Sequence, residues 1–577
     1  MKLMLGYIRR HLGMFLTALF FLSIETIADL LQPTLMSFIV DRGVKDQDVS
    51  AILHFGILML AVAAFGALGA VMRNIFATHT SQRIGMEMRM DLYKKVQTLS
   101  YENIDRLQPS SVITRITNDV TQIQNFINGS MRIMMKAPIT CMGAIVLIIL
   151  QTPEQLPMMG VILVISALLI AGNMKLGYPR FRILQRKLDR LNEISRQFLS
   201  SIRVVKAFRA EEQEEARFCE ASGDLAQAGV SAMRIMAVFG PLINLTVNTG
   251  IVVLLWVSGS RPADGIGRLM ASVNYMTQVL FSLGMVTMIL NMAVRAAASA
   301  GRVEEVLQEV PAQEAASETE EAKEEKTKEE AGSEIVFDHV TFSYEGASRP
   351  SLTDISFRVR PGETIGIIGP TGSGKSTLMD LVPRFYDAKK GRILIDGKDV
   401  TQIDEKKLRG QIAMVPQKAL LFSGTIMENL LWGDKNADPQ EVRRAAGLAC
   451  ADEFVSSFPE GYETMLGQGG VNLSGGQKQR LSLARALIRK PRILILDDCT
   501  SALDAMTESK VLAGIRKEAA SMTVLLVSQR IATVMRTDRI LCLEDGEIKG
   551  YGSHEELLRG CAAYRAIYES QIGKAQG

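Results

Sequence analysis

The chain of 577 residues is too long for one hydrophobic core, so several domains are expected. An apolar fraction of 47% beside a charged fraction of 22%, with a mean hydropathy of +0.14, indicates one lipid-embedded part and one soluble part. The net charge of only +3 gives no support for nucleic-acid binding. The six cysteines are scattered without a C-x-x-C pair, which argues against a zinc site and a disulfide framework.

Six apolar runs in the first half predict membrane-crossing helices, because a span needs roughly 20 residues. The runs are Met14–Ile39, Ile52–Ala77, Ile133–Leu150, Met158–Ala171, Ile235–Val257 and Leu269–Val294. A cleaved signal peptide is the alternative for the first run. That run is long, and no small-x-small site follows its apolar core, which argues against cleavage.

Two long loops between these runs, 78–132 and 175–234, are charged, helix-compatible and rich in Lys and Arg. Positive charge near span ends marks the cytoplasmic side. The sequence therefore predicts a multi-pass plasma-membrane protein whose N-terminus, long loops and C-terminal half are cytoplasmic. We expect each loop to prolong two membrane helices into water. The loop tips, near Tyr101–Arg106 and Phe208–Glu212, are placed to touch a cytosolic motor.

Two acidic residues interrupt the first apolar run. Glu25 and Asp29 are one helical turn apart and so share a helix face. Carboxylates in lipid are costly, so both are expected to face the bundle interior or water. Two interpretations stay open: contact with a cationic substrate or a gate, and a structural hydrogen bond to a neighbouring helix.

A charged stretch separates the two halves of the chain. Ala315–Gly332 is mostly Glu, Lys and Ala and lacks the apolar periodicity of a buried face, so it is a solvated helix or a disordered tether. The sequence thus predicts three parts: a membrane domain over 1–305, a charged linker over 306–333, and a soluble domain over 334–577.

The soluble half contains a glycine-rich phosphate-binding motif. Gly369–Thr377 reads G-x-x-x-x-G-K-S-T, follows the β-rich run Thr364–Ile368, and precedes the helix-compatible Leu378–Val382. The alternative is an ordinary glycine turn between a strand and a helix. The complete motif in its strand–loop–helix context favours phosphate binding.

The chemistry of phosphate binding needs these residue types. Gly372 and Gly374 leave the backbone free to curl, so that successive N–H groups point at phosphate oxygens. The following helix adds its positive N-terminal end. Lys375 can reach the β- and γ-phosphates, and the Ser376 hydroxyl can ligate Mg²⁺. ATP and Mg²⁺ are therefore the expected cofactors.

Further motifs follow the glycine loop. Leu473–Gln477 reads L-S-G-G-Q, Arg492–Asp497 is an apolar strand ending in an acid suited to hold Mg²⁺ through water, and Ser501–Asp504 reads S-A-L-D. Upstream, Tyr344 could stack on adenine, although a lone Tyr is more often a core or surface residue.

These motifs, in this order, resemble the nucleotide-binding domain of an ABC transporter, with L-S-G-G-Q as the family signature. Gln417 matches the Q-loop, Tyr344 the A-loop and Asp504 the D-loop. The membrane half resembles that of type IV exporters. The resemblance implies an all-α membrane domain of about six helices with long cytosolic extensions, followed by an α/β P-loop ATPase domain coupled to transport.

In the ABC family two nucleotide-binding domains close head to tail, and each ATP lies between the P-loop of one and the signature of the other. The ATP contacts implied for this chain are Tyr344, Gly369, Thr371, Gly372, Ser373, Gly374, Lys375, Ser376, Thr377, Gln417, Ser474, Gly475, Gly476, Gln477 and Asp504. The residues implied to hold Mg²⁺ are Ser376, Gln417 and Asp497.

Two catalytic positions depart from the family pattern. Asp498 stands where the family has the Glu that activates water, and Gln529 stands where it has the switch His. Asp is one methylene shorter than Glu, and a neutral amide cannot shuttle a proton. Because general-base catalysis contributes about 10²- to 10⁴-fold, the sequence predicts a site that binds ATP and hydrolyses it slowly.

The intact signature favours a heterodimer whose second half-transporter carries the Glu and the His. The resemblance then implies a degenerate-site subunit of a bacterial multidrug exporter for small, cationic or amphipathic compounds. The alternatives are a homodimeric exporter of lipid or peptide and an ATP-sensing membrane regulator without transport. A soluble ABC ATPase of DNA repair or translation conflicts with the apolar runs.

Overall fold

A computed structural model describes residues 2–259, 265–311, 332–518 and 522–573. The chain forms two compact units, one of Met1–Gln97 with Pro109–Glu309 and one of Thr98–Gln108 with Val310–Gly577. The domain limits of the sequence analysis stay predictions, and most of the charged linker lies outside the described residues.

The first half of the chain is helical. In chain order its α-helices are α1 (Lys2–Arg10), α2 (Leu12–Phe38), α3 (Val49–Gln97), α4 (Tyr101–Leu107), α5 (Pro109–Thr114), α6 (Val120–Gly129), α7 (Lys136–Gln151), α8 (Leu156–Ser200), α9 (Ile202–Phe208), α10 (Glu211–Gly259) and α11 (Ile266–Gln308). Short π-helical segments occupy Ile39–Val44, Arg115–Asp119 and Ser130–Met134, and a 3-10 turn occupies Pro153–Gln155. All of these elements except α4 belong to the first unit.

Within the described residues, five helical stretches are long and apolar enough to cross a membrane. They are Leu12–Val44, Val49–Gln97, Pro109–Gln151, Leu156–Ser200 and Glu211–Val253. Each contains one of the predicted apolar runs or most of it. The remaining run, Leu269–Val294, lies within α11, which is not among the five, so the sixth span stays a prediction.

The long helices extend well beyond a bilayer. α3 has 49 residues, which corresponds to about 74 Å at the usual helical rise, against a hydrocarbon core of about 30 Å. Its apolar half packs tightly on α2, where a Cβ added at Gly66 would lie 2.7 Å from the Cβ of Ala28. Glycine at this position therefore sets the close approach of the two helices.

The two acids of α2 lie in an ion-paired cluster with α3 and α7. Arg73 Nε lies 2.7 Å from Glu25 Oε2, and Lys136 Nζ lies 2.7 Å from Glu25 Oε1 and 2.9 Å from Asp29 Oδ2. Glu25 is only 8% exposed, whereas half of the Asp29 side chain is exposed. Glu25 thus makes the structural contact to neighbouring helices that one of the two interpretations expected.

The second unit combines strands and helices. Its strands are β1 (Ile335–Phe342), β2 (Leu352–Val359), β3 (Thr364–Ile368), β4 (Lys390–Ile395), β5 (Lys398–Asp399), β6 (Ile412–Val415), β7 (Gly424–Thr425), β8 (Met465–Leu466), β9 (Ile493–Asp497), β10 (Thr523–Val527), β11 (Arg539–Glu544) and β12 (Glu547–Gly552). Its further α-helices are α12 (Lys375–Leu381), α13 (Glu405–Gly410), α14 (Ile426–Leu430), α15 (Pro439–Leu448), α16 (Asp452–Ser456), α17 (Gly475–Ile488), α18 (Ala505–Glu518), α19 (Ile531–Val534), α20 (His554–Gly560) and α21 (Ala562–Ile572). Short 3-10 turns occupy Val400–Gln402, Gly461–Glu463 and Gln468–Gly470.

A six-stranded sheet of order β12-β11-β3-β10-β9-β6 brings the motifs together. Every pairing in it is parallel except that of the edge strand β12 with β11. Val527 at the end of β10 pairs with Ile367 of β3 and with Asp497 of β9. The carboxyl ends of β3, β9 and β10 therefore meet at one edge, which is where open α/β sheets bind ligands.

The first loop tip packs within the second unit. Ser100 caps α4 in a capping box, and the ring of Tyr101 lies 4.5 Å from that of Phe385. Tyr386 Oη donates a 2.6 Å hydrogen bond to Asp105 Oδ2. The tip near Tyr101–Arg106 thus touches the nucleotide-binding fold, as expected from the sequence.

The second loop tip comprises α9 and the residues that follow it. α9 ends at Phe208, which is 80% exposed, and the next residue, Arg209, caps the helix in the left-handed conformation. Its contact with a motor domain stays a prediction.

Candidate nucleotide-binding site

The glycine loop joins the end of β3 to the start of α12. Gly372 and Gly374 have φ of 85° and 96°, a backbone region that other residues avoid. Gly369 cannot carry a side chain, since an added Cβ would lie 2.0 Å from the Leu543 carbonyl oxygen. The sequence therefore dictates the loop conformation at each of these three glycines.

Lys375 begins α12 with its side chain curled back over the loop. Its Nζ donates to the carbonyl oxygens of Gly369 at 2.9 Å and Pro370 at 2.7 Å, and to Ser373 Oγ at 3.3 Å. Only 8% of the residue is exposed. Burial lowers the pKa of Lys375, while the nearby carboxylates of Asp497 and Asp498 oppose this shift.

Most of the residues predicted around the P-loop line one cleft of about 620 Å³, the P-loop cleft. They are Thr371, Gly372, Gly374, Lys375, Ser376, Thr377, Gln417, Asp497, Asp498 and Gln529. The cleft also includes residues that the sequence analysis missed, namely Arg349, Pro350, Ser351, Val527, Asp545 and Gly546. No motif marks these six residues, which reach the cleft from the start of β2, the end of β10 and the β11–β12 turn.

The Asp498 carboxylate is the meeting point of the two altered positions. Its Oδ2 accepts hydrogen bonds from Gln417 Nε2 at 3.3 Å and from Gln529 Nε2 at 3.2 Å. Asp498 is 7% exposed and has a left-handed φ of 45°. Burial raises its pKa, and the hydrogen bond from Gln417 opposes this shift.

The oxygen-bearing side chains of the cleft suit a hard divalent cation. Ser376, Gln417 and Asp497 all line it, and Mg²⁺ prefers oxygen ligands of this kind. Burial raises the pKa of Asp497, while a hydrogen bond with Ser376 opposes the shift. The donor set and the glycine cradle therefore fit ATP with Mg²⁺.

Tyr344 lies beside the P-loop helix. Its Oη is 3.2 Å from Thr377 Oγ1, and 36% of the residue is exposed. Its ring packs edge-on against Phe342 and Tyr386, with ring centroids 5.0 and 5.3 Å away. Because Tyr386 also bonds Asp105, the aromatic group beside the P-loop is continuous with the first loop tip.

The signature residues line a second cleft of about 340 Å³, the signature cleft. Its lining residues are Ser474, Gly475, Gly476, Arg480, Ala502, Leu503, Asp504 and Thr507. Among the described residues the two clefts share no lining residue. The ATP contacts implied by the family resemblance thus lie in two separate groups within this chain.

Local hydrogen bonds shape the signature cleft. Ser474 caps α17 through a capping box in which Gln477 is the reciprocal partner. Asp504 accepts hydrogen bonds from the Met506 and Thr507 N–H groups at 3.1 and 2.9 Å, and those from Thr507 lower the pKa of Asp504. The cleft thus includes the N-terminus of α17, and helix N-termini are favourable places for phosphate oxygens.

Comparisons with known proteins agree with this geometry. The "ABC transporter transmembrane region" model matches residues 15–283, and the "ABC transporter" model matches residues 352–501. The chain is 40% identical to the uncharacterized ABC transporter ATP-binding protein YfiB of Bacillus subtilis, over 96% of each chain. It is 29% identical to the ATP-dependent lipid A-core flippase of Pseudomonas aeruginosa, over 98% of this chain and 95% of the relative.

A solved structure extends the likeness to the whole chain. A bacterial Atm1-family ABC exporter with ATP bound superposes with a TM-score of 0.78 at 26% identity, covering 99% of each chain. Together with the two clefts, these matches make the chain a multi-pass membrane protein with a cytoplasmic ATPase domain. It belongs to the ABC transporter family, as a half-transporter that joins a helical membrane domain of the type IV exporter fold to an ABC ATPase domain.

Proposed function

We propose that this chain is one half of a heterodimeric exporter, in which its own P-loop cleft holds ATP and hydrolyses it slowly. The chain belongs to the ABC transporter family, and ABC half-transporters work as dimers. The observation that carries the proposal is the Asp498 carboxylate, whose Oδ2 accepts hydrogen bonds from both Gln417 and Gln529. The two amides hold this acid in place, so its short side chain does not extend to the position that a Glu carboxylate would reach.

Distance and charge both oppose fast hydrolysis in the P-loop cleft. Asp498 is a methylene shorter than Glu, and a small misplacement of a catalytic group can cost about 10²-fold in rate. Gln529 donates a hydrogen bond but carries no positive charge to stabilise the transferring phosphoryl group.

ATP with Mg²⁺ supplies the transferable γ-phosphoryl group, and the residues of the chain bind and orient it. The glycine loop and Lys375 are placed to hold the phosphates. Ser376, Gln417 and Asp497 are placed to hold the cation. Tyr344 is placed to stack on the base. The retained binding set beside an altered base and switch favours nucleotide retention over turnover.

The signature cleft serves the other half of the dimer in this proposal. Ser474, Gly475 and Gly476 present the N-terminus of α17. A partner subunit with the Glu and the His would bring its own P-loop against this surface. The productive site would then combine the partner's catalytic residues with the signature of this chain.

We propose small amphipathic or cationic compounds as the cargo. The support is the half-exposed Asp29 beside Lys136 in α2 and α7. The charges of Glu25, Asp29, Arg73 and Lys136 sum to zero, so the cluster as a whole has no net charge to attract a cation. The proposal of a cationic cargo therefore rests on the exposed carboxylate of Asp29 alone. The likeness to a lipid A-core flippase favours a second candidate, a homodimeric lipid exporter.

Vanadate trapping tests the proposal. The chain would be purified alone and together with a half-transporter that has Glu and His at the matching places, which would be sought among the genes that neighbour its own. Each preparation would be incubated with Mg²⁺, vanadate and 8-azido-ATP, then photolysed. We expect little ATPase activity from the chain alone and ADP trapped mainly on the partner. A Lys375→Ala chain provides the background labelling level.

Equal trapping on both chains would contradict the slow P-loop cleft, and rapid turnover by the chain alone would contradict the heterodimer. Transport of a cationic dye into proteoliposomes, compared with flipping of a labelled lipid, separates the two kinds of cargo.

A further inference from the structure

The residue after the altered switch position makes contacts that the ATPase chemistry does not explain. Arg530 follows Gln529 in the segment between β10 and α19. Its guanidinium donates to the carbonyl oxygens of Ser501 at 3.0 Å and Leu503 at 3.4 Å. It also pairs with the Glu508 carboxylate at 3.1 Å. Arg530 therefore joins the switch segment to the loop Ser501–Asp504 and to α18.

The loop Ser501–Asp504 is part of the signature cleft. Ala502, Leu503 and Asp504 all line it. The Ala502 N–H donates to Gln479 Oε1 of α17 at 3.1 Å, and Gln479 Nε2 donates back to Ser501 Oγ at 3.4 Å. A displacement of this loop therefore displaces part of the signature cleft.

Glu508 fixes the arginine in place. The residue is only 7% exposed, and its Oε1 accepts hydrogen bonds from the Thr500 and Thr533 hydroxyls, both at 2.8 Å. Its Oε2 is the atom that meets Arg530. A buried carboxylate with this many partners has one favoured position, and it holds the partly exposed Arg530 guanidinium against the loop.

The other end of the connection lies in the P-loop cleft. Gln529 lines that cleft and donates to Asp498. One peptide bond separates it from Arg530, so a backbone shift at Gln529 moves the arginine. The chain of contacts then runs from the P-loop cleft through Gln529, Arg530 and the loop Ser501–Asp504 to the signature cleft.

We infer that Arg530 is a positioning residue that couples the two clefts, so that ATP held in the P-loop cleft sets the geometry of the signature cleft that a partner uses. This inference rests on the proposed function for the identity of the productive site. Lysine could keep the ion pair with Glu508, but it lacks the planar fork that reaches both carbonyl groups.

A double-mutant cycle on the assembled transporter tests the coupling. The four species are the native chain, Lys375→Ala, Arg530→Lys and the double variant, each measured for kcat and KM of ATP hydrolysis. We expect Lys375→Ala to lower kcat about fivefold in the native background and less than about 1.5-fold in the Arg530→Lys background, because coupled sites are non-additive. KM at the partner's P-loop should stay within about twofold, since its binding groups are untouched.

The control is Arg536→Ala. Arg536 also bonds α18, through Ser509 Oγ at 2.9 Å, but lines neither cleft. It should leave the effect of Lys375→Ala unchanged. The thermal unfolding midpoint of every variant, together with 8-azido-ATP labelling of those that keep Lys375, reports whether the chain is folded. If Arg530→Lys does not fold, Thr533→Val, which removes one hydrogen bond to Glu508, takes its place.

Multiplicative losses in the double variant would overturn the inference, because they would show that the two positions act independently. Trapped ADP found equally on both chains would instead overturn the slow P-loop cleft. The double-mutant cycle can still be interpreted after that outcome, because it tests only whether the two clefts communicate through Arg530.

Discussion

The two clefts of the ATPase domain differ in what the chain has kept. The P-loop cleft has the glycine cradle, Lys375 and the oxygen-bearing side chains proposed to hold the cation, with Asp498 and Gln529 at the proposed base and switch positions. The signature cleft keeps its full motif, and its own acid, Asp504, has a pKa lowered by hydrogen bonds from Thr507. Because an ABC site is shared between two domains, altered residues in one cleft leave the other free to complete a working site.

The largest effect is expected in the signature cleft, from Gly476→Val. A Cβ at Gly476 would lie 2.9 Å from the backbone oxygen of Ala502, so the loop and α17 must separate. A displaced helix N-terminus should lower the kcat of the assembled transporter by about 100-fold, in line with the cost of a small misplacement. The steady-state rate of phosphate release measures this loss.

Gly447→Ala is the matched control, because an added Cβ at this glycine of α15 meets no atom within 4 Å. Photolabelling of the chain by 8-azido-ATP should stay at the native level in both variants. Loss of labelling in Gly476→Val would mean that ATP binding in the P-loop cleft also fails, so that the fall in kcat could not be assigned to the signature cleft alone.

A smaller effect is expected in the P-loop cleft, from Asp498→Asn. If the carboxylate is not the working base, its removal should change transport by less than about threefold, far below the 10²- to 10⁴-fold of general-base catalysis. An Asn also suits the left-handed backbone at this position. Uptake of a fluorescent dye into proteoliposomes measures the change.

The reverse experiment sharpens the same contrast. Asp498→Glu combined with Gln529→His supplies the missing methylene and imidazole, and should raise vanadate-trapped ADP on this chain by about tenfold, at the lower end of what a base contributes. Either substitution alone serves as the control. A tenfold loss of transport from Asp498→Asn would show that the P-loop cleft already does catalytic work.

The smallest effect is expected at Asp380, which lies near two other carboxylates beside the P-loop. Burial raises the pKa of Asp380, on α12, to about 6, and the neighbouring Asp497 and Asp105 add to the shift. The folded chain thus binds this proton more tightly than the unfolded chain. The resulting cost to stability is present above about pH 6 and disappears as the pH falls toward the unfolded pKa near 4.

Asp380→Asn should therefore raise the midpoint temperature of unfolding at pH 7.5, by an amount that corresponds to about 2 kcal/mol or less in the free energy of unfolding. Near pH 4 the substitution should leave the midpoint unchanged. Differential scanning fluorimetry across this pH range measures the shift. Glu460→Gln, at an exposed acid, is the control and should have no pH-dependent effect. A stabilisation that is equal at both pH values would assign it to packing and not to charge.

Most residues that line the P-loop cleft belong to a sequence motif, because each motif is local. Gly369–Thr377 and Gln529 follow strands of the parallel sheet and Asp497 ends one, and parallel strands bring their ends together. Arg349 and Asp545 were missed, since they reach the cleft through turns that carry no recognisable pattern.

Other contacts could not be predicted from the sequence because they join residues that are far apart in the chain. Glu25 meets Arg73 and Lys136, which are 48 and 111 positions away, and no periodicity within α2 identifies such partners. The packing of Thr98–Gln108 with the second unit likewise depends on contacts such as Tyr386 with Asp105, across 281 positions. The sequence could place the loop tip in water but could not choose the residues that it touches.

The length of α3 has a mechanical consequence. With about 30 Å of its roughly 74 Å needed to cross the hydrocarbon core, some 40 Å remains as a stiff rod. If α3 tilts by about 10° at the point where it leaves the membrane, the cytosolic end of this segment moves sideways by about 7 Å. This distance is larger than the pitch of one helical turn. Small angular changes among lipid-embedded segments therefore become large lateral movements at the cytosolic end, and the same amplification works in reverse.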